Sequence, residues 1–450
     1  MDSACFFQNT ACPAFPCHSC ADTGSFNCLF CYCPLYGRVQ CPGKPRYIQK
    51  NGRLIKSCIE CDFPHRKENY ERVIRLLKAA PQDHAEMPLF HHGGELSAWK
   101  GKKCGLPDNQ PLIDFSVSCN PLGAPAAVRQ AFSDTVCSDG WHSLAESYPD
   151  SECSTLRHAL AARYRIAEGQ ILCGNGASEL LILAVQALSP KKALLPVPSF
   201  SGYERALRAF GIQVVPYLLT EENSFLLTED FIQAIRRHTP DIVFLCTPNN
   251  PTGRCIDRGL LLRIADICEE TGTFLILDEC FLGFVPDSFR LSLRNVAASY
   301  KRLLILDAFT KLYGLPGLRL GFCISGNDRL LQSMRILQPE WSVSSFAQYA
   351  GTVCLSEQTY LEQTLTTVQT ERMHLAHGLE LAGFKVYESQ ANFMLFKAYP
   401  DLYDQLLARH ICVRSCHDFA GLGPEYFRAA VHTRKDNDAL LAAVKECPGV

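Results

Sequence analysis

From about residue 91 onward, short runs of consecutive apolar residues alternate with segments of helical periodicity. The runs at 192–197 (KALLPV), 212–218 (IQVVPYL), 241–247 (DIVFLCT), 273–279 (TFLILDE), 302–308 (RLLILDA) and 318–324 (LRLGFCI) predict strands. Most are apolar on successive rather than alternate positions, as strands covered on both faces are. Helices are predicted between them, at 177–188 and 257–271 among others. Strands and helices in alternation predict an α/β unit, a mostly parallel sheet with helices on both sides. The last hundred residues shift to longer helical patterns with few strands, which predicts a second, smaller α/β lobe.

Upstream the pattern changes. Residues 1–66 are rich in Cys, Pro and aromatic residues and show little periodicity. Residues 67–80 (KENYERVIRLLKAA) carry apolar side chains at helical spacing and predict a short helix. Residues 81–90 (PQDHAEMPLF) hold two prolines and mixed polarity, the marks of a linker. A chain of 450 residues holds several domains of about 100–200 residues. The expected order is a cysteine-rich unit over 1–66, a helix and linker over 67–90, a lead-in segment over 91–139, a large domain over 140–335 and a small domain over 336–450.

Charge and composition exclude some functions. Basic residues number 44 against 46 acidic, for a net charge of −2, which does not suit a nucleic-acid or membrane-surface partner. With 47% hydrophobic and 20% charged residues the balance is that of an ordinary globular protein. No stretch approaches the ~20 apolar residues that cross a bilayer. Met1-Asp2-Ser3-Ala4-Cys5 lacks the basic and apolar regions of an export signal, so a cytoplasmic protein is expected. Of the 24 cysteines, ten fall in the first 61 residues. In a reducing compartment such a cluster points to a metal site rather than to disulfides. The scattered remainder read as small core residues.

Four polar signals occur at or near strand ends, where open α/β sheets bind ligands. Gly174-Asn175-Gly176-Ala177-Ser178-Glu179 opens a helix, whose free N–H groups and dipole favour an anion. Thr247-Pro248-Asn249-Asn250-Pro251-Thr252-Gly253 is a loop in which two prolines leave Asn250 as a positioned polar group. Asp278 ends the apolar strand FLIL, and a carboxylate there is costly without a partner such as a protonated ring nitrogen. Thr310-Lys311 follows another apolar run, with Gly317-Leu318-Arg319-Leu320-Gly321 beyond it. Burial of Lys311 lowers its pKa, as an amine that must attack an aldehyde requires. Arg319 is placed to pin a phosphate.

In this order and spacing, Ser178, Asn250, Asp278 and Lys311 resemble fold-type I pyridoxal-phosphate (PLP) enzymes, and within them the histidinol-phosphate aminotransferase branch. The resemblance covers about residues 90–450 and implies an aspartate-aminotransferase-like fold. It makes Lys311 and Asp278 the catalytic pair, with Lys311 on the cofactor's C4′ aldehyde and Asp278 on its ring nitrogen. Gly176, Ala177 and Ser178 become the phosphate cradle, completed by Thr310 and Arg319. Phe200 takes the place of the aromatic residue that stacks on the ring, and Asn250 that of the partner of O3′. Tyr148, in Tyr148-Pro149-Asp150, matches a tyrosine that reaches the phosphate from a second subunit, which implies a homodimer with shared sites. Phe281 stands where the branch usually carries a tyrosine.

His91-His92-Gly93-Gly94, the run Asp114-Phe115-Ser116-Val117-Ser118-Cys119-Asn120-Pro121-Leu122-Gly123, Val413-Arg414-Ser415-Cys416 and Tyr426-Phe427-Arg428 resemble the threonine-phosphate decarboxylase family of cobalamin synthesis. Glu95 departs from that family's usual His-Gly-Gly-Asn. The resemblance implies a small phosphorylated amino-acid substrate held by His92, Gly93, Asn120, Asn250, Arg414 and Arg428. Its two anions each want a guanidinium or a cationic cluster. Arg428 is expected on the α-carboxylate, with Arg414 and His92 on the substrate phosphate. The expected reaction is decarboxylation of O-phospho-L-threonine, or of O-phospho-L-serine. The alternative is an aminotransferase of the histidinol-phosphate type. A third reading, a metal-binding adaptor with an inactive C-terminal unit, is opposed by the intact Asn250, Asp278, Lys311 and Arg319.

The N-terminal residues Cys12, Cys17, Cys28, Cys31, Cys33, Cys41, Cys58, Cys61 and His65 are the expected metal ligands. Two C-x2-C pairs and a trailing histidine have metal-ligand spacing, and zinc is the expected ion, with an iron–sulfur cluster as alternative. The strings around Cys28–Tyr36 and Pro64-His65 resemble a cysteine-rich small domain found beside cobalamin-synthesis proteins.

Overall fold

The computed structural model describes residues 6–17, 23–30, 33–35, 43, 46–50, 53–58, 61–78, 94 and 112–447, with backbone alone for 47–50, 53–56 and 75–78. The chain divides into two compact units, Met1–His91 and His92–Val450.

The first unit contains an antiparallel hairpin of β1 (Arg46–Lys50) and β2 (Arg53–Ser57). The sequence reading placed no strand here, although Asn51-Gly52 between two β-prone runs is a strong hairpin signal. The helix expected over 67–80 is a 3-10 turn at Lys67–Asn69 running into an α-helix at Tyr70–Lys78, with 79 and 80 outside the described residues.

In the second unit, β3 (Ile113–Asp114) is followed by the seven strands of the main sheet: β4 (Ile171–Gly174), β5 (Lys192–Val197), β6 (Gln213–Leu218), β7 (Ile242–Cys246), β8 (Phe274–Asp278), β9 (Leu303–Ala308) and β10 (Gly321–Ile324). Their order across the sheet is β4-β10-β9-β8-β7-β5-β6. The pairs β5–β6, β5–β7, β7–β8 and β8–β9 are parallel, and β10 alone runs against its neighbours β4 and β9. Alternate residues feed two cores. Leu194, Val243, Leu245, Leu275, Leu277, Leu303 and Ile305 face one, while Ala193, Leu195, Ile242, Phe244, Ile276, Leu304 and Leu306 face the other. Burial of each large apolar side chain stabilises the fold by about 1.5–3 kcal/mol, so both faces need helices. This is why the strands read as unbroken apolar runs.

The smaller lobe holds β11 (Lys385–Val386), β12 (Phe393–Lys397), β13 (Ile411–Cys412), β14 (Arg414–Ser415) and β15 (Tyr426–Ala430). Four of these form an antiparallel sheet in the order β11-β12-β15-β14. The helices Gln358–Leu381 and Arg434–Lys445 contribute Leu375, Leu379, Leu440 and Val444 to the core against it. β13 pairs in parallel with β3, and the Ala430 N–H bonds Phe115 O. Residues 113–116 are thereby stitched to the smaller lobe and delivered to the ends of the main strands. Among the described residues no helix is long and apolar enough to cross a membrane.

Candidate active site

The ends of β7, β8 and β9 and the start of the helix Ala177–Leu188 open on one cavity of about 330 Å³. It is lined by eleven residues singled out in the sequence: Ala177, Ser178, Phe200, Asn250, Asp278, Phe281, Thr310, Lys311, Arg319, Arg414 and Arg428. Among the described lining residues four are basic and Asp278 alone is acidic. The cavity therefore suits anions.

Its anion cradle is built from backbone. Gly176 has φ +84°, and a Cβ there would lie 2.6 Å from the Arg319 guanidinium. A Cβ on Gly321 would lie 2.6 Å from the Ala177 nitrogen. The two glycines let the helix start, the Arg319 side chain and β10 approach closely. The free N–H groups of the first helical turn, with Arg319 beside them, form an anion site.

Asp278 is 8% exposed. Its Oδ1 accepts from the Cys280 N–H at 2.9 Å and its Oδ2 from the Tyr203 hydroxyl at 2.6 Å. Lys311 lies on a short helix, Phe309–Leu312, directly after β9, with its Nζ 5.8 Å from the centre of the Phe281 ring. It has no ion-pair partner among the described residues. Burial lowers its pKa, and the positive charges of Arg428 and Arg319 lower it further. The residue after Asp278 is spent on structure: Glu279 is fully buried and paired with Arg294 at 2.8 Å, and Arg294 also bonds Asp307 at 2.7 Å.

Arg428 is fixed by two acceptors, the Asn250 Oδ1 and, at 2.7 Å, the backbone oxygen of Ser116. Its guanidinium lies over the Phe393 ring at 5.2 Å. Burial pushes its pKa down to about 10, and Arg414 pushes in the same direction. Arg414 donates to Asp418 Oδ2 and to Ser415 O, each at 2.6 Å. Gly94 itself lies against this wall, since a Cβ on it would meet Val117 Cγ2 at 3.0 Å.

Other expectations fare differently. Asn120 is not on the cavity wall. It is 5% exposed, and its amide is committed to Leu312 O at 2.7 Å and Thr364 Oγ1 at 2.8 Å, while its backbone N–H bonds Lys311 O. It braces the lysine's segment. Tyr148 is 79% exposed and stacked on Trp341 at 4.4 Å, outside its own chain's cavity. His92 and Gly93 lie outside the described residues, as do Cys31 and Cys41.

In the first unit, His65 is buried, stacks on Phe26 at 4.8 Å and pairs its Nδ1 with Asn27 O at 3.1 Å. The Cys61 N–H bonds Cys58 O at 3.0 Å. The Cys28 sulfur accepts from the Asn9 N–H. Among the described residues, which include Cys12, Cys17 and Cys33, no three His, Cys, Asp or Glu side chains gather as a metal site.

The sequence reading missed Ser116, Ser118, Tyr203 and Phe419 on the cavity wall. Ser116 and Ser118 stand in a run already singled out, four and two residues before Asn120 respectively. Tyr203 follows Phe200 by three residues, a spacing that places both on one side of a helix start.

Comparison with known proteins agrees with this geometry. The family model Aminotransferase class I and II matches residues 110–444, and a model described as Cysteine-rich small domain matches residues 3–87. A threonine-phosphate decarboxylase of Salmonella typhimurium is 35% identical over 369 residues, 80% of this chain and 97% of that protein. An adenosylcobalamin biosynthesis bifunctional protein of Leptospira interrogans is 30% identical over 79% of this chain and 41% of its own length. Among solved structures, the histidinol-phosphate aminotransferase of Clostridium acetobutylicum superposes with a TM-score of 0.69 at 30% identity, over 74% of this chain and 98% of that one.

Proposed function

Because the chain belongs to the class I and II aminotransferase family, with its aspartate-aminotransferase-like fold, we propose that it is a PLP-dependent decarboxylase of a phosphorylated amino acid. The observation that carries this reading is the pair Arg414 and Arg428 on the wall of the cavity that also holds Lys311. An amino acid bearing a phosphate brings two anions to a PLP site; histidinol phosphate brings one.

The residues present fit the cofactor. The helix start at Ala177 and Ser178, with Arg319 and Thr310, suits its phosphate. Asp278 suits a protonated ring nitrogen, and the Lys311 amine suits its aldehyde. Phe200 offers a ring wall. When bound, PLP supplies an electron sink for the pair left at Cα when a bond there breaks.

The chain decides which bond that is. Arg428, held by Asn250 and Ser116, is a rigid clamp for the substrate carboxylate and fixes the Cα–carboxylate direction. Arg414 holds the substrate phosphate, with His92 joining it. Lys311 Nζ returns a proton to Cα once carbon dioxide has left. The apolar walls Phe281 and Phe419 exclude water and strengthen both ionic contacts.

Threonine phosphate is the proposed substrate and serine phosphate the close alternative, since one methyl changes binding by only about 1–3 kcal/mol. The product, an aminoalkyl phosphate, suits cobalamin side-chain synthesis, in keeping with the Leptospira relative's role. A homodimer is proposed, with the exposed Tyr148 supplied to the neighbouring site. Zinc is proposed for the N-terminal unit, where bonding of His65 Nδ1 to a carbonyl leaves the lone pair on Nε2, the arrangement of metal-ligating histidines. A reducing cytoplasm, which keeps thiols available as metal ligands, is the proposed compartment.

The test is incubation with O-phospho-L-threonine and O-phospho-L-serine, with and without 2-oxoglutarate. Carbon dioxide and aminoalkyl phosphate form without the oxo acid. Amine transfer that depends on 2-oxoglutarate, without carbon dioxide release, overturns the reading in favour of an aminotransferase.

A further inference from the structure

Tyr203 lies in the helix Ser201–Ala209 and is 1% exposed, yet it borders the cavity. Its hydroxyl donates to Asp278 Oδ2 at 2.6 Å. Its ring stacks on Phe244, with centres 5.4 Å apart and planes at 21°, and meets the edge of Phe200 at 5.4 Å and 86°. With the Cys280 N–H on the other oxygen, both carboxylate oxygens of Asp278 have fixed donors. We infer that Tyr203 is a positioning residue that holds Asp278 aimed at the cofactor ring while backing Phe200, so that one side chain sets the carboxylate and the aromatic wall together.

The inference rests on the PLP reading of the cavity, and its physics is local. A donor to an ionised carboxylate favours the charged form. Such charge-assisted bonds are roughly twice as strong as neutral ones. Burial and the charge of Asp278 push the Tyr203 phenol well above its ordinary pKa, so it stays a proton-bearing donor at neutral pH. Without the hydroxyl, Asp278 Oδ2 has an unmet acceptor in a water-poor site. The carboxylate is then free to turn away from the ring nitrogen, and a bound ring would lose the fixed anion that supports its charge as an electron sink. A purely structural tyrosine has no such effect, since phenylalanine fills the same space.

The experiment uses full-length protein and Tyr203→Phe. Three quantities are measured: PLP affinity of the apo form, the 15N resonance of the ring nitrogen in protein loaded with 15N-labelled PLP, and kcat and KM for O-phospho-L-threonine. The variant binds PLP roughly tenfold more weakly, the loss of one charge-assisted bond. Its ring nitrogen moves toward the unprotonated position, and kcat falls while KM holds. In an Asp278→Asn background the same change has little further effect, because the hydroxyl acts through the carboxylate. A variant with wild-type affinity and nitrogen shift overturns the inference, as does an undiminished effect in the Asp278→Asn background. If Tyr203→Phe does not fold, fluorotyrosine at position 203 keeps the shape with a stronger donor. The nitrogen then moves further toward the protonated position, and an unchanged shift refutes the role. Wild-type protein that takes up no PLP sinks the cofactor reading itself, a result distinct from a variant that matches wild type.

Discussion

Arg414 and Arg428 stand directly opposite each other across the antiparallel pair β14–β15, both on the wall of the same cavity. Like charges in that register repel. Asp418 answers Arg414 at 2.6 Å, whereas Arg428 has only neutral acceptors, Asn250 and Ser116, among the described residues. Both arginines are under a tenth exposed. An arrangement that is poor for the protein alone is good for an incoming anion.

The first prediction follows from that geometry. Arg428→Gln and Arg414→Gln each remove a charged contact of about 1.5–3 kcal/mol, so kcat/KM for O-phospho-L-threonine falls roughly 10- to 100-fold. Millimolar inorganic phosphate raises the melting temperature of the wild type and does so less in Arg414→Gln. Steady-state kinetics and thermal melts check both. Wild-type kinetics in both variants places the substrate anions elsewhere.

Asn120→Ala separates a bracing role from a substrate-binding one. The side chain ties Leu312 and Thr364 together and accepts the Leu122 N–H at 3.0 Å. Its loss leaves buried groups unpaired and costs about 1–3 kcal/mol of stability. Because it braces the segment of Lys311, kcat falls with the melting temperature while KM stays in place. A raised KM at unchanged stability restores the substrate role.

Lys311 gives a pH prediction for the apo protein. Its folded pKa is lowered, chiefly by burial. The unfolded chain therefore binds more protons than the native one between that lowered value and the ordinary lysine value of about 10.4. Stability rises with pH across this window. At lower pH the buried ammonium is a full penalty, and above about 10.4 both states are neutral. Lys311→Met therefore stabilises the apo protein most below that lowered value, and the gain shrinks as the pH climbs. Denaturant melts of both proteins from pH 6 upward measure the difference; a gain that grows with pH is incompatible with a lowered pKa.

What the sequence made legible was governed by burial. Strands β5, β7, β8 and β9 lie inside a sheet covered on both faces, so each is a continuous apolar run, found within a residue or so of its bounds. β4 was missed because it has only four residues, Ile171–Gly174, and merges with the glycine-rich turn. At the site, Asp278 and Lys311 were legible because a charge at the end of an apolar strand needs a reason. Tyr203 was not, because an aromatic residue at helical spacing looks like any other core residue until its hydroxyl is seen on Asp278. The bracing bonds of Asn120 were not legible, because a motif gives a position in the chain and not the direction of its side chain.

The N-terminal unit yields the last prediction. Cys61 and His65 are buried at 5% and 2% exposure, in a unit whose helix Tyr70–Lys78 is too short to be stable alone. A unit this small needs a staple, and the C-x2-C pairs provide ligands at low closure entropy. Full-length protein therefore purifies with about one zinc ion per chain. The double change Cys58→Ser with Cys61→Ser lowers the zinc content and removes a separate low-temperature melting transition. The visible absorbance of bound PLP persists, because Lys311 and Asp278 lie in the other unit. Metal analysis with acid-labile sulfide determination decides the ion: iron with sulfide replaces zinc by a cluster, and neither metal nor sulfide ends the metal reading for these cysteines.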